Sequence, residues 1–242
     1  EAFITFGNKV PFYGSVFACM DCPAVASIRP HLKRQVRTYG RNPQVDLRAT
    51  DLRSEGFRTH FRVRAYGEEL GEFSLGVPGD HMVLNALAAI GVALEMDIPP
   101  EVIRASLASF TGADRRFSKR GERKGVLVID DYGHHPTEIA ATLAAARKGF
   151  PDRRIVAAFQ PHRYTRTRAL LEEFAQAFFD ADVVVITDIY AASEPPIPGL
   201  TGRTLSEALR AHGQREVHDV PKVEDLPEAL DRLTRPGDLL FT

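Results

Sequence analysis

Hydrophobic and polar positions alternate strictly between residues 57 and 65. The mostly apolar face consists of Phe57, Thr59, Phe61, Val63 and Ala65. The opposite face carries arginines and a histidine, and this period of two predicts a half-buried strand. Residues 13–20 and 72–77 predict further strands, with Gly67 and Gly71 in short turns. The N-terminal part of the chain therefore predicts a small antiparallel or mixed sheet.

Helical patterns follow. Residues 81–94 are rich in Ala, Leu and Val, and residues 101–110 repeat apolar side chains at helical spacing. From Gly125 onward, apolar runs (VLVID, RIVAAF, DVVVIT and finally DLLFT) alternate with amphipathic segments. The predicted helices begin at Pro136 and Thr165 and lie near Leu205 and Leu226. Such alternation predicts a mostly parallel, Rossmann-like sheet.

The change of pattern near Thr111 and Gly112 predicts an α/β protein with two domains, 1–112 and 113–242. A short strand at residues 116–119 is expected to open the second domain. In open parallel sheets, ligands bind where strands end and the chain enters the next helix. Two polar segments occupy such positions, DDYGHHPTE (130–138) and FQPHRYTRT (159–167).

Composition narrows the class of partner. The net charge is −1, and no apolar run approaches the roughly 20 residues that span a bilayer. Because nucleic-acid binding needs an excess of Lys and Arg on one face, we expect a small-molecule partner, no nucleic acid and no membrane. The first residues lack a signal-peptide pattern, which predicts a cytoplasmic protein. Monomer and dimer both remain open.

The two cysteines, Cys19 and Cys22, have the spacing of a redox or half-zinc motif. Zinc would need a second ligand pair nearby, and a redox pair usually opens a helix. The segment YGSVFACM instead predicts a strand that runs into a turn. We therefore interpret both cysteines as core and turn residues in a reducing compartment.

Arg163 and Arg166 are three positions apart at the start of a predicted helix, a spacing that puts them on one face. An arginine fork matches a carboxylate, and a helix start favours anions. With Gln160, His162 and Tyr164 in the same turn, the pair predicts a clamp for an amino-acid or phosphate anion. The alternative is a solvated, arginine-rich helix start.

His134 and His135 follow Asp130 and Asp131 and precede a helix start at Pro136. Helix-start chemistry explains the proline and the acidic residue after it but does not explain two adjacent histidines. We interpret the histidines as hydrogen-bonding or proton-transfer groups. A zinc site and a purely structural role remain alternatives.

Other candidates have one functional and one structural interpretation each. Asp131 is suited to accept ribose hydroxyls or to cap a turn, and Arg116 is suited to reach a polyphosphate or to lie on the surface. His81 and Asn85, four apart on one helix face, are suited to an adenine edge or to a satisfied polar patch.

Taken together, these segments resemble the Mur ligases over nearly the whole chain. VPFYG (10–14), GDHMVLNALAA (79–89), RRF (115–117), DDYGHHPTE, FQPHRYTRT and TDIYAASE (187–194) occur in the order of that family. Within it, the chain is similar to the members that use L-alanine. A murein-peptide recycling ligase shares the HHPT stretch but lacks PHRYTRT, so it is the alternative within the family.

The resemblance implies a cytoplasmic enzyme of peptidoglycan precursor synthesis that uses ATP and Mg²⁺ to join L-alanine to UDP-N-acetylmuramate through an acyl phosphate. It implies a partial central ATPase-type domain followed by an amino-acid-binding domain. The implied ATP contacts are His81, Asn85, Arg116 and Asp131. The implied substrate contacts are Tyr132, His134, His162, Arg163 and Arg166. His134 and Arg116 are the implied catalytic residues, and no metal ligand is expected in this chain.

Two departures from the family pattern matter. Met82 stands where the family usually has Asn after His81, and no GxxxxGK[ST] phosphate loop occurs. We therefore expect part of a longer protein that lacks the family's phosphate loop and UDP-binding domain. Two other classes remain open: a non-catalytic amino-acid or nucleotide-binding module, and a metal-dependent hydrolase that uses Asp130, Asp131, His134 and His135.

Because the phosphate loop is absent, the 242-residue chain alone is predicted not to ligate. Phosphate release is measured with UDP-N-acetylmuramate and ATP, with and without L-alanine. We expect no alanine-dependent release, and measurable release would contradict the prediction.

Overall fold

The computed structural model describes residues 1–242 and divides into two compact units, Glu1–Thr111 and Gly112–Thr242. The sequence predicted the same α/β class, and both units contain one sheet with helices. No helix of either unit combines the length and apolar character that crossing a membrane requires.

The first unit contains a five-stranded mixed sheet in the order β1-β2-β3-β4-β5. Its elements are α1 (Ala2–Asn8), β1 (Ser15–Cys19), α2 (Pro23–Ile28), β2 (Gln35–Gly40), β3 (Leu47–Glu55), β4 (Arg58–Ala65), β5 (Glu68–Leu75), α3 (Asp80–Glu95) and α4 (Pro100–Ser109). The first three strands pair in parallel, and β3, β4 and β5 pair antiparallel. The mixed sheet and both long helices agree with the predicted patterns.

The core of the first unit lies between this sheet and α3. Strand β4 buries alternate residues, as its pattern predicted, and Phe61 stacks on Phe73 with ring centroids 6.1 Å apart. The turn predicted at Gly71 was wrong. Gly71 lies inside β5, opposite Val63, where the register of the strand pair shifts. Its φ of +87° is a backbone conformation that glycine adopts without steric cost, so it supplies an irregularity within the strand.

The cysteines lie where a strand runs into a turn, as the sequence predicted. Cys19 ends β1, the turn follows at Met20 and Asp21, and Cys22 is the N-cap residue of α2, which the sequence did not predict. Both thiols are partly buried and free. No group of three or more His, Cys, Asp or Glu side chains in the chain is arranged to hold a metal ion, so the structure offers no second ligand pair for zinc.

The second unit contains a six-stranded sheet in the order β10-β9-β8-β11-β7-β6. Its elements are β6 (Ser118–Arg123), β7 (Val126–Asp130), α5 (Pro136–Gly149), β8 (Ile155–Phe159), α6 (Tyr164–Ala169), α7 (Leu171–Gln176), β9 (Val183–Ile186), α8 (Gly202–Ala211), β10 (Val217–Asp219), α9 (Leu226–Leu233) and β11 (Leu239–Phe241). All pairs are parallel except β6 with β7. This confirms the mostly parallel sheet.

The last strand of the chain occupies the middle of the sheet. Residues of β11 pair with β7 on one side and with β8 on the other, so Leu240 aligns with both Val128 and Val156. Strands in a sheet lie about 4.8 Å apart, so β7 and β8 end roughly 10 Å apart at the same edge. The two polar segments found in the sequence therefore start from one edge with a single strand between them.

Two element boundaries differ from the prediction. The strand expected at residues 116–119 begins at Ser118, so Arg116 lies in the turn before β6. The helix predicted from Thr165 begins at Tyr164 and breaks at Leu170, whose φ of −119° and ψ of 23° leave the helical region before α7 continues. The pattern of apolar residues continues through this break. It could not predict the break because the pattern does not report the backbone angles of a single residue.

The aromatic pair at the centre of the first unit offers a test of its core. Phe61 is fully buried, and we expect Phe61→Ala to lower the free energy of unfolding by about 3–5 kcal/mol because it removes packing and leaves a cavity. Phe12→Ala is the matched control, since Phe12 is 89% exposed and its loss should cost under about 0.5 kcal/mol. Urea unfolding measures both. Equal losses in the two variants would contradict the assigned core.

Candidate functional site

The loop after β7 is held by the side chain of Asp131. Its carboxylate accepts hydrogen bonds from the backbone N–H groups of Phe117 and Gly133, both at 2.8 Å. The backbone N–H of Asp131 donates to the carbonyl of Thr242. Each carboxylate oxygen of Asp131 thus already has a backbone donor, which is the turn-capping role that the sequence left open beside ribose binding.

Glu138, in the first turn of α5, closes the same loop from the other side. Its Oε2 accepts the backbone N–H groups of His134 at 3.0 Å and His135 at 3.2 Å. Its Oε1 lies 3.5 Å from a guanidinium nitrogen of Arg116. Burial acts to raise the pKa of Glu138, but the bonds and charge from His134, the bond from His135 and the charge of Arg116 hold it below its ordinary value. The carboxylate therefore joins the two residues implied to be catalytic.

The adjacent histidines have different roles. Nδ1 of His134 lies 3.1 Å from the carbonyl of Tyr132 and 3.4 Å from Oε2 of Glu138. Both neighbours are acceptors, so Nδ1 carries the proton, and Nε2 of a neutral ring is an open acceptor. Nδ1 of His135 instead accepts the backbone N–H of Thr137 at 3.3 Å and caps α5. His135 is thus explained by helix-start chemistry, contrary to the sequence-based interpretation.

Tyr132 lies beside two arginines at the edge of the loop. The Cζ atoms of Arg115 and Arg116 are 4.9 Å and 5.7 Å from its ring centroid, and His134 packs edge-on at 5.3 Å. These contacts orient the phenol ring by cation–π and aromatic interactions. In the sequence, Arg115 appeared only as part of the RRF motif. The backbone at Arg115 has a positive φ of 58°.

The loop after β8 is tied to the loop after β9. The N–H of Tyr190 donates to the carbonyl of Pro161 at 2.8 Å, and the N–H of Arg163 donates to the carbonyl of Tyr190 at 2.9 Å. The rings of His162 and Tyr190 lie 5.4 Å apart at 31°. In the sequence, the segment TDIYAASE was noted only for its resemblance to the family. In the structure its residue Tyr190 packs against the turn that holds His162 and Arg163.

Arg163 corrects the geometric argument from the sequence. It is the N-cap residue of α6, with φ 72° and ψ 132°, so helical spacing does not relate it to Arg166. A side chain with positive φ is uncommon outside glycine and marks a strained position. The arginines nevertheless lie in one tight turn, and neither guanidinium forms an ion pair within the chain, whereas Arg115, Arg116 and Arg120 all do.

The imidazole of His162 is affected by charged groups from both loops. Burial lowers the pKa of His162, and the charges of Arg166, Arg163 and His134 lower it further, against an opposing effect of Glu194. The Nδ1 atom of His162 is buried without a hydrogen-bond partner. Groups from both loops thus act on one imidazole, and burial and the nearby positive charges all disfavour its charged form.

His81 and Asn85 lie in the first unit, on the first turns of α3, and both are exposed. The amide of Asn85 points to the sulfur of Met82 at 3.8 Å, and Met82 packs partly against the core of that unit. A thioether is a weak acceptor, so Met82 fills space at this position instead of adding a polar contact.

The metal-dependent hydrolase is not supported by this geometry. Asp130 is engaged by Arg120 at 2.6 Å, Asp131 accepts two backbone donors, and His135 caps a helix. Each of these three side chains has a different bonding partner. Together they form no group arranged to hold a metal ion. The acidic and histidine residues shape the loop instead.

Two protein-family descriptions match the chain. Residues 1–93 match "Mur ligase middle domain", and residues 115–242 match "Mur ligase, glutamate ligase domain". The chain belongs to the Mur ligase family. The resemblance that the sequence motifs carried is thereby confirmed, and the Mur ligases are ATP-dependent ligases.

Relatives within the Mur ligases are close. The UDP-N-acetylmuramate–L-alanine ligase of Trichlorobacter lovleyi is 50% identical over 242 residues, which is 100% of this chain and 53% of that protein. The chain therefore spans about half the length of the curated relatives it matches.

Solved Mur ligase structures share the fold. The UDP-N-acetylmuramate-alanine ligase of Thermotoga maritima matches with a TM-score of 0.70 and 29% identity, over 84% of this chain and 43% of that one. A murein peptide ligase of Psychrobacter arcticus matches with a TM-score of 0.62 and 24% identity, over 99% of this chain and 50% of that one.

The pKa of the His162 ring can be measured directly. We expect NMR of the His162 ring to give a midpoint below the ordinary value of 6.5, because burial and two nearby guanidinium groups disfavour the imidazolium form. Arg166→Ala should raise the midpoint, whereas Arg232→Ala, in an exposed pair on α9, should leave it unchanged. A midpoint above 6.5, or no response to Arg166→Ala, would contradict this electrostatic assignment.

Proposed function

We propose that this chain carries the amino-acid site and part of the nucleotide site of an ATP-dependent ligase that joins L-alanine to the carboxylate of UDP-N-acetylmuramate. The observation that carries the proposal is the pair of arginines without an ion-pair partner, Arg163 and Arg166, in the turn that also holds His162. The 50% identity to a UDP-N-acetylmuramate–L-alanine ligase supports this choice of substrates.

The turn that holds Arg163 and Arg166, called the arginine turn below, is suited to bind the carboxylate of alanine. Guanidinium groups bind carboxylates through two parallel N–H donors, and neither Arg163 nor Arg166 forms an ion pair inside the chain, although the charge of Arg163 lowers the pKa of Glu194. Because Arg166 is only partly exposed, its charge is less screened than that of a fully solvated arginine. We assign both arginines to the carboxylate, with His162 and Tyr132 as neighbouring substrate contacts.

His134 is suited to the amine of alanine. The amine must lose a proton before it attacks a carbonyl, and a neutral imidazole is a proton acceptor near neutral pH. Since Nδ1 of His134 faces acceptors, Nε2 is the nitrogen available to the substrate. Oε2 of Glu138, 3.4 Å from Nδ1, helps to hold the ring in this orientation, so we assign His134 a catalytic role.

The proposed reaction proceeds through an acyl phosphate. The muramate carboxylate takes the γ-phosphoryl group from ATP, the amine of alanine attacks the acyl carbon, and the amide forms as phosphate leaves. Mg²⁺ supplies neutralisation of the charge on the transferring phosphoryl group. Arg116, which carries positive charge beside His134 and Glu138, is assigned to phosphate contact and charge stabilisation.

The nucleotide contacts are proposals of the same kind. Asp131 is assigned to the ribose, although its oxygens also accept two backbone bonds that shape the loop. His81 and Asn85 are assigned to the adenine, which their exposure on α3 permits. We place the reaction in cytoplasmic peptidoglycan precursor synthesis. No contact in the chain favours the recycling ligase or a non-catalytic module.

The arginine clamp is tested in the full-length protein with Arg163→Ala and Arg166→Ala. We expect each variant to raise the KM for alanine by about 10- to 100-fold, the loss expected for one hydrogen bond to a charged group. The KM values for ATP and UDP-N-acetylmuramate should change little, and Arg232→Ala should behave as wild type. Wild-type alanine KM and kcat in both variants would reject the assigned pocket.

A further inference from the structure

Helix α6, which begins in the turn that holds Arg163 and Arg166, is not capped by the side chain of its own N-cap residue. Helices leave their first N–H groups without partners, and a Ser, Thr, Asp or Asn at the N-cap normally accepts one of them. In α6 the N-cap residue is Arg163, whose guanidinium has only donors and makes no cap bond. The N–H groups of the first turn therefore need an acceptor from elsewhere in the fold.

Glu194 supplies that acceptor from 29 residues further along the chain. Its Oε2 accepts the backbone N–H of Thr165 at 3.0 Å, and its Oε1 accepts the Thr165 hydroxyl at 2.7 Å. These two bonds lower the pKa of Glu194, with further contributions from the charge of Arg163 and the N–H of Tyr164. Both carboxylate oxygens of Glu194 accept donors of Thr165 at the start of α6. We therefore assign Glu194 to holding this turn and not to contacting substrate.

The same segment also holds the backbone of Arg163. The carbonyl of Tyr190 accepts the N–H of Arg163 at 2.9 Å, and the carbonyl of Arg163 accepts both donors of Thr167. Surrounding bonds of this kind are what keep a non-glycine residue at positive φ. Thr165 lies two residues from Arg163, so loss of the Glu194 cap would remove the acceptor that fixes the turn next to the strained residue.

We propose that Glu194 is a positioning residue for amino-acid binding, because it caps α6 from a distance and so leaves an arginine free to occupy the cap position. A local Asp or Ser cap at position 163 would satisfy the helix start but would remove a cation from the site. The remote cap meets both requirements at once. This inference rests on the proposed function, in which Arg163 binds the carboxylate of alanine.

The variants separate the cap from general stability. Glu194→Ala removes both acceptors, and Glu194→Gln keeps one acceptor oxygen for Thr165. Thr165→Val removes one donor and leaves Glu194 in place. Glu207→Ala is the matched control, since Glu207 forms an exposed ion pair with Arg203 on α8.

In the full-length protein, Glu194→Ala should raise the KM for alanine by about 2- to 30-fold, the range that loss of a helix cap corresponds to. Glu194→Gln and Thr165→Val should have smaller effects in the same direction. The KM values for ATP and UDP-N-acetylmuramate should stay within about twofold, and Glu207→Ala should match wild type.

A double-mutant cycle with Arg163→Ala decides whether Glu194 acts through that arginine. We expect Glu194→Ala to add little to the alanine KM once Arg163 has been removed. Equal effects in both backgrounds, or an unchanged alanine KM in Glu194→Ala, would overturn the inference. So would parallel changes in all three KM values, which indicate general loss of structure.

Three further outcomes distinguish the positioning role from the proposed function. If Glu194→Ala does not fold by circular dichroism, the same cycle is run with Thr165→Val, and additivity there overturns the inference. If Arg163→Ala and Arg166→Ala leave the alanine KM unchanged, the proposed function fails first. If they raise it and neither Glu194→Ala nor Thr165→Val does, the positioning role alone fails.

Discussion

The site depends on the parallel pairing of β11 between β7 and β8. This pairing brings the carboxyl ends of two strands that are separated in the chain by the whole of α5 to one edge of the sheet, with one strand between them. Without it, the loops that follow β7 and β8 would leave the sheet in unrelated places. The alternation of strands and helices fixes the parallel direction, and the position of β11 fixes the distance between the loops.

Two glutamates, each at a helix start, hold the loops that this edge brings together. Glu138 gathers the backbone of His134 and His135 and pairs with Arg116, and Glu194 gathers Thr165 at the start of the arginine turn. Each carboxylate accepts donors that the chain would otherwise leave without partners, so its ionised form is favoured. The groups assigned to substrate are thereby left free to form hydrogen bonds. They are Nε2 of His134 and the guanidinium groups of Arg163 and Arg166.

Much of the fold and part of the site could be predicted. The period-two pattern around Phe61, the helix from His81 and the apolar runs of the second unit all became elements close to the expected residues. The pattern could not show that Gly71 lies within a strand, because a shift of register depends on the partner strand. It also could not show that Arg163 has positive φ, because bonds to Tyr190 hold that conformation from a distant segment. Glu194 was missed as a cap for the same reason. His135 was missed because histidine is not among the usual N-cap residues, although its bond to Thr137 is local.

The sequence by itself determined the α/β class, the two segments that carry the chemistry and the membership of the Mur ligase family, because periodicity and short motifs are local properties of the chain. Only the tertiary structure decided which side chains are free to act. His134 and His135 are neighbours in the sequence, yet one faces two acceptors and the other caps a helix. Arg163 and Arg116 both lie in turns next to strands, yet only Arg116 forms an ion pair with a carboxylate. Which donor meets which acceptor depends on the three-dimensional path of the backbone, and the periodicity of the sequence does not describe that path.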